Sequence, residues 1–294
     1  MHVVMTGATS GFGHNTARRL VEAGLDRLTI GAREPADLDE GLERPQVDAR
    51  ELDLEHFSSV RAFADSIGNE PIDALVLNAG IQLAKPERAP NGMEKTFLVN
   101  QLSHFLLLDL LRDRLAPGAR VILTGSGTHD PAAGTMITPP DHADAERLAW
   151  PERDETLPRS RSQAAMRAYS SSKLANIMTA RELARREDDL VALSFDPGYV
   201  PGTRLSREYP WLVEKAFHNI LPLIMPGDRS SSIDNSGRLL AMAIVDRQWD
   251  DHSGAYLSVR GEDTLLRIEP SELAQDDEAA AKLWNDCKRL VGQS

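Results

Sequence analysis

The chain has 294 residues, 41% of them hydrophobic and 27% charged, a composition that suits a globular protein with a sizeable core. Its net charge of -12 opposes nucleic acid or an anionic membrane as a partner, so an anionic ligand must be held by local groups. The single cysteine, Cys287, allows neither an internal disulfide nor a thiolate metal cluster and suits a reducing compartment, with the cytoplasm as the expected location.

The first strand, through Val3, Val4 and Met5, starts within a few residues of Met1 and leaves no room for a signal peptide. It runs into Thr6-Gly7-Ala8-Thr9-Ser10-Gly11-Phe12-Gly13, beyond which Ala17, Leu20 and Val21 recur at helical spacing. Glycines at a strand-to-helix turn let backbone N–H groups and the positive end of the helix approach a phosphate, because no Cβ intervenes. An ordinary tight turn would carry the same glycines, so spacing alone leaves both readings open. A second strand, Leu28 to Ala32, ends in Arg33. At that tip a dinucleotide fold places the adenosine ribose, where an acid accepts from a free 2′-hydroxyl and an arginine pairs with a 2′-phosphate. Arg33 favours NADP(H) over NAD(H), with Glu34 beside it pulling the other way.

Glu51-Leu52-Asp53-Leu54 comes next, with Asp53 a candidate N-cap for a helix marked by Val60, Phe63, Ala64 and Ile67. A buried strand from Ala74 ends in Asn78-Ala79-Gly80. The spacing predicts a long helix over Met93 to Leu115, carrying Asn100 and stopped by Pro117-Gly118, and then a strand from Arg120 that presents Ser126. Its apolar run Phe105 to Leu108 is cut by Asp109, far short of a membrane span. Residues 127–163 are rich in Pro, Asp, Glu and Arg with little periodicity, and read as an insertion serving as a lid or binding loop. His129 and His142 within it have no further ligand at metal spacing and read as solvated loop histidines.

A helix from Ala165 to Arg186 places Tyr169 and Lys173 one turn apart on one face. After the strand Val191 to Phe195 and the turn Asp196-Pro197-Gly198, residues 199–226 become apolar and irregular. Tyr209 to Met225 suits the cover of a bulky substrate, a lid's own core or a partner surface equally well. A helix from Ile233 to Val245, a last strand from Gly254 to Ser258 and an acidic amphipathic helix from Glu272 to Val291 complete the chain. The alternation of strands and helices predicts an α/β protein with a Rossmann-type doubly wound parallel sheet, one domain over residues 1–294, and ligands at the carboxyl ends of the strands.

In order and spacing, Thr6-Gly7-x-x-x-Gly11-x-Gly13, Asn78-Ala79-Gly80, Asn100, Ser126, Tyr169-x-x-x-Lys173 and Pro197-Gly198 resemble the short-chain dehydrogenase/reductase family over nearly the whole chain. Glu94-Lys95-Thr96-Phe97-Leu98-Val99-Asn100-Gln101, Ser172-Lys173-Leu174-Ala175-Asn176 and Ser253-Gly254-x-Tyr256 resemble its retinol dehydrogenase and protochlorophyllide reductase branch. The resemblance implies an NADP(H)-dependent oxidoreductase that interconverts a carbonyl and a secondary alcohol on a bulky, partly apolar small molecule. Tyr169 would give or take the proton, Ser126 would bind the substrate oxygen, Lys173 would hold the nicotinamide ribose and Asn100 would anchor a water chain. By the same resemblance Thr9, Ser10 and Phe12 with the three glycines hold the phosphates, and Asp53 and Leu54 flank the adenine. Asn78, Ala79 and Gly80 pass the ribose, Pro197 and Gly198 lie under the nicotinamide, and Thr203, one place beyond the family's usual threonine, meets the carboxamide. Pairing into a homodimer or homotetramer through the helices of Asn100 and Tyr169 is implied as well.

Two alternatives stand beside this reading. One is reduction of a carbon–carbon double bond, as in protochlorophyllide reductase, whose active-site cysteine has no counterpart here, Cys287 being in the tail. The other is an NADP-binding sensor or scaffold protein without turnover, a role whose bearers typically lose the tyrosine or lysine kept here. The chemistry itself sets a physical requirement. A free phenol has a pKa of about 10, so service near neutrality needs a shift worth about 4 kcal/mol. An ammonium about 5 Å away supplies about 3 kcal/mol at an effective dielectric of about 20, so Lys173 can do most of the tuning.

Overall fold

The computed structural model describes residues 1–201 and 229–292. Eight strands make one sheet, with β1 (His2–Thr6), β2 (Arg27–Ala32), β3 (Val47–Glu51), β4 (Ile72–Leu77), β5 (Leu115–Thr124), β6 (Val191–Asp196), β7 (Tyr256–Arg260) and β8 (Thr264–Ile268) in the order β3-β2-β1-β4-β5-β6-β7-β8. β1 through β7 pair in parallel, and β1 lies between β2 and β4, so the chain reverses its direction of growth there and opens a crevice at the carboxyl ends. This is the doubly wound sheet that the alternation predicts. β1 is buried along its whole length, as an apolar strand covered on both faces must be.

On one face α1 (Gly11–Glu22) packs beside α7 (Ile233–Val245), burying Ala17, Leu20, Leu239 and Leu240 against Val3 and Met5. On the other lie α2 (Phe57–Ser66), α4 (Ser103–Leu111), α6 (Arg161–Arg186) and α9 (Asp277–Gly292), with Phe63, Phe105, Ile177 and Trp284 against Leu75. Phe105 and Trp284 meet edge-on at 4.9 Å between ring centroids, which fastens the tail to the sheet's helical cover. The tail divides into α8 (Glu272–Gln275) and α9 rather than one helix. Among the described residues no helix is long and apolar enough to cross a membrane.

Several boundaries differ from the sequence expectation. The helix expected from Met93 to Leu115 consists of α3 (Lys95–Phe97), a π-helical turn over Leu98–Leu102, and α4, which ends at Leu111. Pro117-Gly118 does not stop it; the pair lies within β5, at an exposed and irregular start where the register with β4 shifts and Gly118 takes φ +77°. An irregular strand start tolerates proline because no ladder donor is lost there. β3 and β8 were not expected, since both are only partly buried and lack an apolar run; β8 folds back antiparallel on β7 through Gly261 at φ +62°.

The segment 127–163 is built rather than structureless. It contains α5 (Ala145–Ala149) and several single turns, and its last residues already belong to α6. Its centre is the buried carboxylate of Asp154, which accepts hydrogen bonds from His142 Nε2 at 3.1 Å, Thr156 N at 2.9 Å, Thr156 Oγ1 at 2.8 Å and Arg147. Those donors hold its carboxyl well below the usual carboxylate range. His142 is therefore a partly buried tie, not a solvated loop residue. The lid expected over 199–226 has all but its first residues, Tyr209 to Met225 included, outside the described residues, as is Thr203.

Candidate active site

A cavity of about 810 Å³ opens above the carboxyl ends of β1, β4, β5 and β6. Gly7, Thr9, Ser10, Gly11, Phe12, Gly13, Arg33, Asp53, Leu54, Asn78, Ala79, Gly80, Ser126, Tyr169, Lys173, Pro197 and Gly198 all line it. Of the described site residues expected from sequence, only Asn100, fully buried behind Gly80, is not among its lining residues.

At one end stands the glycine turn. A Cβ on Gly13 would sit 2.1 Å from the Gly7 carbonyl oxygen, and one on Gly7 2.7 Å from Ala79 N, so the two glycines let the turn close on the Asn78-Ala79 segment. Asn78 Nδ2 donates to the Gly7 carbonyl at 3.1 Å and locks that contact. The Ser10 hydroxyl, at the start of α1, makes no capping bond, and the first turn carries no acid. Its N–H groups therefore face the cavity with the positive end of the helix unneutralised, which suits an anion such as a pyrophosphate. Arg33 is exposed at the tip of β2 and has no ion pair among the described residues. Asp53 does not cap α2: its Oδ1 accepts from Glu55 N at 3.0 Å, inside the loop, and His56 occupies the cap position.

At the other end α6 carries Tyr169 and Lys173 into the cavity wall, 7% and 3% exposed, so the pair is not a solvated helix face. Lys173 Nζ lies 5.7 Å from the centroid of the Tyr169 ring and donates to the Thr124 carbonyl at 3.0 Å. Burial pushes its ammonium down to about 8, opposed by the negative charge of Asp196. Ser126 follows β5; its Oγ accepts from Thr128 N at 3.3 Å and Thr128 Oγ1 at 3.1 Å, which leaves its own hydrogen to be donated. Asn100 sits in the π turn, where Oδ1 accepts from Ile81 N at 2.8 Å and Nδ2 donates to Ser172 Oγ at 3.0 Å. The wider turn thus seats Asn100 between the β4 loop and the Tyr169 helix.

The places of four side chains in this region were missed by sequence reasoning. His104, one turn beyond Asn100, bridges the two ends of the site: Nδ1 donates to the Asn100 carbonyl at 3.0 Å, which leaves Nε2 to accept from Thr6 Oγ1 at 3.0 Å. Burial, and Lys173 nearby, push the imidazole down to about 4, so it stays neutral. The i,i+4 spacing of Asn100 and His104 on an apolar face was the available signal. Asp196 and Tyr256 form a second buried pair, with the phenol donating to Oδ2 at 2.9 Å. His129, expected in solvent, is 3% exposed, with Nδ1 donating to the Ser126 carbonyl at 2.7 Å and Nε2 accepting from Ser271 N at 3.0 Å. It holds the Ser126 turn against the segment after β8.

Comparison with known proteins bears on the family and the fold. The family model described as short chain dehydrogenase matches residues 1–136. Protochlorophyllide reductase A of Oryza sativa subsp. japonica is 31% identical over an alignment spanning 99% of this chain and 80% of that protein. The protochlorophyllide reductase of Chlamydomonas reinhardtii is 32% identical over 99% and 78%. Among solved structures, an uncharacterised protein from Mycobacterium paratuberculosis superposes with a TM-score of 0.72 at 29% identity, covering 99% of this chain and 93% of that one. An NADPH-bound carbonyl reductase from chicken fatty liver shares the fold, with a TM-score of 0.60 at 17% identity over 91% and 98%.

Proposed function

Since the chain belongs to the short-chain dehydrogenase family, we propose that it is an NADP(H)-dependent oxidoreductase that reduces a ketone or aldehyde, reversibly, on a bulky and partly apolar substrate. The observation that carries this is the convergence, in one cavity, of a phenol, a buried ammonium 5.7 Å from its ring, and a serine hydroxyl with a hydrogen to donate. When bound, NADP(H) would supply or accept the hydride. The glycine turn and the N-terminus of α1 would hold its pyrophosphate, Arg33 its 2′-phosphate, and Pro197 and Gly198 its nicotinamide end.

The chain's own residues do the rest. Ser126 donates to the substrate oxygen and stabilises the negative charge that develops there. Tyr169 delivers a proton to that oxygen and takes it back in the reverse direction. The Lys173 ammonium lowers the energy of the phenolate that remains. Asn100 fixes the Ile81 and Ser172 ends of the wall behind the lysine. Met136, Ile137 and Leu83 line the same cavity and give it an apolar wall for the substrate body.

A second reading, reduction of a carbon–carbon double bond, is supported by the protochlorophyllide reductases to which the chain is similar along its length. Cys287 cannot serve it: the thiol is buried beside Gln101 in the tail and pushed up to about 12. NADPH oxidation with matched aromatic ketones and the corresponding enones separates the two. Turnover of the ketones, reduced at least about a hundredfold in Tyr169→Phe, supports the carbonyl reading. Turnover confined to the enones sinks it, and binding of NADPH without turnover of either class favours the sensor.

A further inference from the structure

We propose that Asp196 is the counter-charge of this site, a buried carboxylate that favours the positively charged, oxidised nicotinamide over the neutral, reduced one and so biases the protein toward giving up a hydride. The inference rests on the reading of the cavity as a nicotinamide site and adds a residue to which that reading gives no role.

The carboxylate stands at the end of β6, 3% exposed and lining the cavity. It is held from three sides. Oδ2 accepts from Tyr256 Oη at 2.9 Å and Ser258 Oγ at 2.9 Å, both from the facing side of β7, and Oδ1 accepts from Gly198 N at 3.0 Å within its own turn. Gly198, at φ +72°, has the Arg229 carbonyl oxygen 3.0 Å from where a Cβ would stand, so the turn has one shape and the carboxylate one place in it. A Cβ on Gly127 would lie 3.6 Å from Oδ2, which puts the acid beside the Ser126 turn.

Three neutral donors solvate the charge without cancelling it, and a charge kept from water acts strongly on its neighbours. Lys173 from α6 feels its charge, Asp130 from the insertion and Arg260 from β7 act on its partner Tyr256, and His129 lies against the same ring. Burial and the negative neighbour hold the Tyr256 phenol well above its ordinary range, so it remains a donor to the carboxylate. The carboxylate opposes the loss of the Lys173 proton, and a pyridinium in the same cavity gains from it while a dihydropyridine does not.

Asp196→Asn keeps the shape and removes the charge, since both hydroxyls can rotate to suit an amide. Titration of the variant with NADP+ and with NADPH, without substrate, should show NADP+ weakened about tenfold more than NADPH. Its turnover should also decline at a lower pH on the alkaline side, because Lys173 loses its proton earlier. Equal weakening of both nucleotides marks Asp196 as a purely structural anchor and overturns the proposal. The unsubstituted protein gives an independent check: it should bind NADP+ at least as tightly as NADPH, and a tenfold preference for NADPH overturns the proposal whether or not the variant folds. Failure of the unsubstituted protein to bind either nucleotide overturns the nicotinamide site itself, and is thereby distinguished from a failure of the counter-charge alone.

Discussion

At the glycine end of the cavity the groups turned toward a ligand belong to the backbone, and the contacts that shape the turn leave no room for a Cβ at Gly7 or Gly13. At the tyrosine end they are ionisable side chains, Tyr169, Lys173 and Asp196, each less than a tenth exposed, with Lys173 held by the Thr124 carbonyl and Asp196 by Tyr256 and Ser258. The first end is intolerant of added atoms and indifferent to pH. The second tolerates changes of shape better than changes of charge. Substitutions at the two ends should accordingly fail in different ways.

The largest expected effect is at the backbone end. Gly13→Ala would put its Cβ 2.1 Å from the Gly7 carbonyl oxygen and 2.5 Å from Asn78 Nδ2, and neither neighbour can withdraw without opening the turn. NADPH titration should detect no binding, and urea unfolding should show a loss of about 1–3 kcal/mol. Retained binding at unchanged stability would mean that the turn is looser than its contacts imply.

At the side-chain end Lys173→Met should separate activity from stability. Turnover falls about a thousandfold, since the phenolate loses its ammonium. Stability moves the other way. The folded protein holds this lysine at about 8 against an ordinary 10.5, so the unfolded chain binds more protons between those values, and burying the ammonium costs about 3 kcal/mol at pH 7. Stability from this group therefore rises with pH from about 8 to 10.5 while activity falls over the alkaline range. Thermal melts at pH 7 and pH 10 should show the methionine variant more stable at the lower pH and without that rise. The Thr124 carbonyl does not confound the comparison, because Asn176 Nδ2 still donates to it at 2.9 Å.

The same contrast explains what was legible in the sequence. A turn made of missing side chains is written as glycines at fixed spacing, and Tyr169 and Lys173 announce themselves by falling one helical turn apart, so both were readable without coordinates. Asp196, His104 and His129 were not. Each acts through partners far away in the chain, Ser258, Thr6 and Ser271 respectively, and no local pattern records a contact across 62, 98 or 142 residues. The sheet was legible where strands are apolar on both faces and failed at β3 and β8, which are partly exposed. The helix stop was misplaced because Pro117-Gly118 has the same composition at a bent strand start as at a helix end.

Arg33 belongs to neither end, and its substitution should have the smallest effect. It is a side chain contributing charge, as at the tyrosine end, yet it is exposed and set on the rim beside the backbone-built turn. A charge-assisted contact to a 2′-phosphate contributes about 1.5–3 kcal/mol, and solvent at an exposed site screens it toward the lower figure. Arg33→Ala should then weaken NADPH about tenfold and leave NADH unchanged, as measured by fluorescence titration of both nucleotides. Because the contact is exposed, the difference should shrink as salt rises from about 0.01 M to about 1 M, over which the screening length falls from about 30 Å to about 3 Å. Equal weakening of the two nucleotides would remove Arg33 from the 2′-phosphate, and a difference that ignores salt would place the phosphate in a more enclosed contact than the exposed arginine provides.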